Sequence, residues 1–254
     1  MLKVTVAVLA ILGVTLGLPQ PSKSPGGRII GGHDTTIQEH PYQLALYFHR
    51  MFICGAVLLR YDWAITTAHC TEGWQVNGLI VRAGSTTVSV GGQLANVLRV
   101  VYHERYNRRT LDYNYALLEF RGSIAVRNAA PATLPAPTRG IYPGEMATIS
   151  GWGRTSVTNY YPDVLQATEV PILNLLECEL SYPGYDITET MFCGGVLGYT
   201  GKDASHGDRG GPVIIDGELV GLISFAISHG APETPDVYAN IPIVRNWIQS
   251  ITGI

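Results

Sequence analysis

Lys202-Asp203-Ala204-Ser205-His206-Gly207-Asp208-Arg209-Gly210-Gly211-Pro212 is the stretch on which the reading of this chain turns. Glycines 207, 210 and 211 with Pro212 mark a tight turn. The turn is followed by a short β-rich run, Val213–Ile215. A second distinctive stretch, Thr66-Thr67-Ala68-His69-Cys70, sets a titratable imidazole beside a cysteine. Between and around them the chain reads as short β-rich runs: 44–48, 55–59, 78–83, 147–151 and 219–224, separated by Gly, Pro and Asn. Short strands with regular turn signals predict an all-β barrel or sandwich. The proline-rich stretch Pro131-Ala132-Thr133-Leu134-Pro135-Ala136-Pro137 divides the chain from Ile29 on into near-equal halves. Only the tail has helical spacing, with Ile243, Val244, Trp247, Ile248 and Ile251 on one face.

The two opening stretches resemble the Gly-Asp-Ser-Gly-Gly-Pro loop and the catalytic-histidine motif of the chymotrypsin/trypsin family of serine proteases. The resemblance runs from residue 28 to about 250 and its motifs are specific. It implies two antiparallel six-stranded β-barrels, about 29–130 and 138–240, with a C-terminal helix over 242–252. The overall texture is similar to that of arthropod digestive trypsins.

The beginning of the chain fits a secreted member of that family. Lys3 followed by the apolar run Val4–Leu16 reads as a signal peptide over 1–17. Residues 18–28 are rich in Pro, Gly and Ser and read as a solvated linker, which the resemblance makes an activation propeptide. It ends at Arg28, before Ile29-Ile30-Gly31-Gly32, which looks like the family's activation junction and opens a domain over 29–254. Four cysteines in an oxidising compartment suggest disulfides, with three possible pairings. The resemblance pairs Cys54 with Cys70 and Cys178 with Cys193.

Composition narrows the partners. The formal charge is −3, and the cations Lys3, Lys23 and Arg28 all precede Ile29, which leaves about −6 for the rest. Such a balance disfavours nucleic acid and anionic membranes. After the leader no apolar run reaches the roughly 18 residues of a membrane helix. The segment 84–93, where a trypsin would bind calcium, has no carboxylate, so no metal is expected, and no other cofactor.

The family's triad positions carry two substitutions. His69 fits the base. The orienting aspartate precedes an apolar run, and here Asn114 precedes Tyr115-Ala116-Leu117-Leu118. An amide carries no charge to stabilise an imidazolium, and Asp-to-Asn at this position costs about 10⁴ in turnover. Asp112 lies two strand residues upstream, about 6.6 Å away, and is a poor substitute. Arg209 occupies the nucleophile position, and a permanently protonated guanidinium is no acyl acceptor.

Other parts of the family's site persist. Gly207, with Arg209, keeps the oxyanion-loop position. Asp208 matches the carboxylate that pairs with the amino terminus freed at Ile29. Asp203 sits where trypsins keep the pocket-floor carboxylate that selects Lys or Arg. Ser224-Phe225-Ala226 resembles the pocket wall, and Asp236 either enters the pocket or turns to solvent.

The expected function is a secreted, monomeric, non-catalytic homologue that acts by binding proteases, protease inhibitors or cascade components, as decoy, competitor or cofactor. The alternative is an active trypsin-like endopeptidase with Arg/Lys preference and an unrecognised nucleophile. A third class is a secreted protein that uses the scaffold only as a surface.

Overall fold

A computed structural model describes residues 32–154, 161–197, 207–227 and 234–254. Their strands are β1 (His33–Asp34), β2 (Gln43–Phe48), β3 (Met51–Arg60), β4 (Trp63–Thr66), β5 (Leu79–Ala83), β6 (Gln93–Tyr102) and β7 (Ala116–Phe120). After the crossing come β8 (Met146–Gly151), β9 (Gln166–Pro171), helix α1 (Leu175–Ser181) and β10 (Met191–Gly194). The chain ends with β11 (Pro212–Ile215), β12 (Glu218–Phe225), β13 (Asp236–Asn240) and helix α2 (Ile241–Thr252).

The first half closes as a barrel in the order β2-β3-β4-β7-β6-β5. Apolar residues at alternate positions point inward, as in β5, where Leu79, Val81 and Ala83 are buried and Ile80 and Arg82 are less so. With Leu44, Leu46, Leu58 and Leu118 they fill the barrel. Removing one such leucine side chain costs about 2–5 kcal/mol.

The second half forms a sheet in the order β1-β9-β8-β11-β12-β13-β10. This is seven strands where six are expected, because His33–Asp34 pairs with Ala167 and Gln166 on the outer edge of β9. Further along the same edge, Ile172 bridges to Gly194 at the end of β10. The first and last of the six remaining strands therefore meet, and the sheet curls round a core of Ile149, Val170, Val213, Val220 and Tyr238. The architecture is the all-β, two-barrel one expected.

The proline-rich crossing is bonded to both halves. The Ala132 N–H donates to Leu58 of β3, and the Leu219 N–H of β12 donates to Thr133, each at 2.8 Å. Between the halves, Val57, Ile65 and Leu117 pack against Ile214, Leu222 and the inner face of α2 (Ile241, Val244, Ile248). Pro242 lies in the first turn of α2, where its missing N–H is harmless, and Gly253 ends it at φ 80°.

One helix departs from the expectation that only the tail is helical. Helix α1 has a reciprocal cap, in which Asn174 accepts from the Glu177 N–H and the Glu177 side chain accepts from the Asn174 N–H. Both disulfides are formed. Cys178 of α1 joins Cys193 of β10, and Cys54 of β3 joins Cys70.

Candidate functional site

The site lies where the loop before β11 presses against the first barrel. Gly210 sits at φ 79°, and a Cβ there would collide with the Thr66 hydroxyl and the Gly55 carbonyl. Only glycine allows this approach. Its neighbour's carbonyl, on Arg209, accepts the Gly55 N–H at 2.8 Å, while the Gly210 N–H donates to Ile223 of β12 at 2.7 Å. Arg209 is thus fixed by its backbone to both halves of the molecule.

His69 stands opposite, in a single 3₁₀ turn over Ala68–Cys70 that follows β4. The Cys54–Cys70 disulfide ties this turn to β3. The bulk of the Thr66–Cys70 stretch is buried, and the imidazole is largely so.

Asn114 reaches His69 from the segment before β7, where Leu111 and Tyr113 take left-handed backbone angles (φ 55° and 49°). It is 1% exposed. Its Oδ1 accepts the His69 backbone N–H at 3.1 Å, which fixes the amide orientation because that N–H can only donate. Its Nδ2 then donates to two acceptors, Nδ1 of His69 and Oγ of Ser224, both at 2.8 Å. An imidazole that accepts at Nδ1 carries its proton on Nε2.

That tautomer decides what the ring can do. Nε2 is then a donor, and a general base needs a lone pair at that atom. The electrostatics act in the same direction. Burial first, then the Arg209 charge, push the His69 pKa down to about 4, with the Asn114 hydrogen bond opposing. The arrangement at neutral pH is a neutral Nε2–H imidazole beside a guanidinium.

Arg209 is itself half-buried. Burial lowers its pKa and the negative charge of Asp236 opposes that shift. Asp236 is 1% exposed, so it does not turn to solvent. It is the first residue of β13, paired with Gly194. Ser224, Phe225 and Ala226 are all buried at the end of β12. The Phe225 ring packs on Tyr182 and Tyr185, each with centroids 5.8 Å away, in the cluster around Cys178 and Cys193.

Asp208 is fully buried, and its Oδ1 accepts the Gly153 N–H at 2.7 Å. Side chains at Gly151 or Gly153 would collide with this carboxylate. Gly207, at φ 101°, lies against Gly153, Phe52 and Tyr161. Arg28, Ile29 and Asp203 lie outside the described residues. Asp112 serves elsewhere, accepting from Thr188 and Thr190 at 2.7 and 2.5 Å. Among the described residues no group of His, Cys, Asp and Glu could hold a metal ion, and no helix is long and apolar enough to cross a membrane.

Sequence reading places Ser224 only in a pocket wall. The structure gives it a second task as an acceptor for Asn114, a contact between residues 110 positions apart. It also surrounds the cleft with Phe52, Trp74 and Tyr161, which no motif singles out.

The family model described as Trypsin matches residues 29–248. The chain is 37% identical to "Trypsin" of Phaedon cochleariae, with all of both chains covered. It is 38% identical to "Anionic trypsin" of Canis lupus familiaris over 96% of each, and 36% identical to "Trypsin 5G1" of Aedes aegypti over 90% of this chain and 86% of that protein. A closed barrel, a second curled sheet, a C-terminal helix and a His–Asn–Arg cluster at their junction thus lie on a chain that belongs to the trypsin family.

Proposed function

We propose that this protein is a secreted trypsin-family homologue that binds its targets and does not cut them. One observation carries the reading: Asn114 presents an N–H to Nδ1 of His69, which leaves Nε2 protonated, and Arg209 stands at the nucleophile position. Acyl transfer needs a nucleophile at that position and a lone pair on that nitrogen. Arg209 has no hydroxyl to attack with, and its guanidinium keeps its protons at neutral pH. Losing the nucleophile alone costs about as much as losing all three members of such a unit.

The retained scaffold supports binding. Disulfides, the glycine-lined bed of Asp208 and a buried carboxylate at Asp236 maintain a cleft of protease shape. A cleft of this shape suits a protein partner: an inhibitor diverted from active proteases, a substrate segment protected from them, or a cascade component. The leader over 1–17, the junction at Arg28-Ile29 and the disulfides support secretion and processing after Arg28.

The test is the purified protein, cleaved after Arg28, against Arg, Lys, Leu and Ala peptide esters with a serine-directed fluorophosphonate alongside. Residual rates should stay within about 10⁴-fold of water, the level left by binding and backbone donors. Stoichiometric labelling by the fluorophosphonate would overturn the reading. A second reading, an active endopeptidase with Arg/Lys preference, draws on the relatives named trypsin and predicts fast Arg-ester turnover in the same assay.

A further inference from the structure

A cavity of about 360 Å³ opens beside His69 and Arg209. Phe52, Trp74 and Tyr161 form its apolar walls, Ile53, Gly207 and the Cys54–Cys70 disulfide also line it, and none of its described lining residues is an acid. Trp74 and Tyr161 are 40% and 49% exposed, and the Trp74 ring is braced on Phe48 with centroids 4.2 Å apart. The cavity therefore joins apolar aromatic surface to a cationic end.

We propose that this cavity is a carboxylate-binding site, and that it takes the free C-terminus of a peptide with a bulky apolar last residue. Two residues with donors of different kinds line it, Arg209 and His69. The guanidinium of Arg209 is a planar fork of five N–H groups matched to a carboxylate, so one edge can face the buried Asp236 while another faces a ligand. The imidazole of His69 is locked as an Nε2–H donor by Asn114, whose orientation is itself locked by a backbone N–H.

The same two features that remove acyl-transfer chemistry therefore build an anion site. Charge-assisted hydrogen bonds to a carboxylate are about twice as strong as neutral ones. The charge of Arg209 is felt at His69, where it opposes a second cation, so the imidazole stays neutral and polarised. The walls select what the anion is attached to. A bare inorganic anion leaves Phe52, Trp74 and Tyr161 wet, whereas an apolar side chain next to the carboxylate covers them. An adjoining cavity shares Phe52 and Tyr161 and contains Asp163, whose Oδ1 accepts the Ser89 N–H at 2.9 Å.

The inference rests on the protein binding without cutting, and the experiment separates the two. The probes are acetyl-Gly-Phe with a free carboxylate, the same peptide as its C-terminal amide, and inorganic phosphate, titrated calorimetrically into the protein cleaved after Arg28. The free acid should bind at least about tenfold tighter than the amide or phosphate, the size of one charge-assisted contact. Arg209→Gln should abolish that preference and Arg209→Lys should keep part of it. Trp74→Ala should weaken acid and amide alike. Equal binding of acid and amide, no binding of the acid, or phosphate binding as tightly as the acid each overturns the proposal. The wild-type acid/amide comparison decides it even where a variant fails to fold. Labelling by the fluorophosphonate would instead sink the non-catalytic reading, independently of how the acid binds.

Discussion

Asn114 holds His69 at two points: its Oδ1 takes the backbone N–H at 3.1 Å and its Nδ2 gives a proton to the ring Nδ1 at 2.8 Å. A carboxylate at the same place would keep the first bond and reverse the second, because it can only accept. The ring would then carry its proton on Nδ1 and expose a lone pair at Nε2. A change of one amide nitrogen to oxygen thus switches the imidazole from donor to acceptor across the cleft.

Restoration should follow that logic. Arg209→Ser alone supplies a hydroxyl to an imidazole of the wrong tautomer, and should recover little ester hydrolysis. Arg209→Ser with Asn114→Asp should exceed the single variant by up to about 10⁴-fold in turnover. Equal rates for the two would mean that the pocket, and not the His–Asn pair, limits the reaction.

Acid should destabilise the fold through His69. Unfolded, the imidazole protonates near its ordinary 6.5; folded, it resists until about 4. Between those values the unfolded state binds more protons, so stability is complete above about 6.5 and falls as the pH drops toward 4. His40 and His103, also lowered by burial, add to the same slope. Urea midpoints at pH 7 and 4.5 should therefore differ more in the wild type than in His69→Gln. Identical acid losses in the two proteins would remove His69 from the account.

Much of the frame was readable from residues alone. The β-rich runs and the helix over the tail appear where pattern and spacing put them, and the two disulfides are the pairs that the family resemblance, not the cysteine spacing, implies. Helix α1 was readable too, in Asn174-Leu175-Leu176-Glu177, but seven residues held by a cap and a disulfide give too short a periodic signal. The extra strand His33–Asp34 has no pattern of its own, since two residues cannot alternate. What Ser224 does for Asn114, and how Phe52, Trp74 and Tyr161 meet, depends on chain closure over long separations and has no local signature.

Cleavage after Arg28 should order the cleft. The Asp208 carboxylate is fully buried and accepts the Gly153 N–H at 2.7 Å. An α-ammonium on Ile29 would bring a full positive charge to the same carboxylate, a strong contact in a buried site. Amide exchange over 150–154 and 207–211 should slow on processing, by about tenfold for each 1.4 kcal/mol gained. Unchanged exchange would make the junction and Asp208 relics without mechanical effect.

The final prediction concerns the substrate pocket that the family resemblance assigns to Ser224, Phe225, Ala226 and Asp236. Asp236 is buried, and Arg209, a permanent cation, lies within its field. An extended arginine side chain spans about 7 Å by standard bond lengths, enough to enter such a pocket from the turn above it. A guanidinium so placed satisfies the buried carboxylate and excludes a second cation, since two like charges about 4 Å apart repel by roughly 4 kcal/mol at an effective dielectric near 20. The wild-type protein should therefore ignore benzamidine, a small planar cation, at concentrations where Arg209→Ala binds it. The gain should exceed about tenfold and should shrink in Arg209→Ala with Asp236→Asn, which removes one of the pocket's carboxylates as well as its plug. Benzamidine bound equally well by wild type and Arg209→Ala would show that the guanidinium leaves the pocket open. In that event the pocket stays available to an Arg or Lys of a partner, and the decoy role gains a specific anchor.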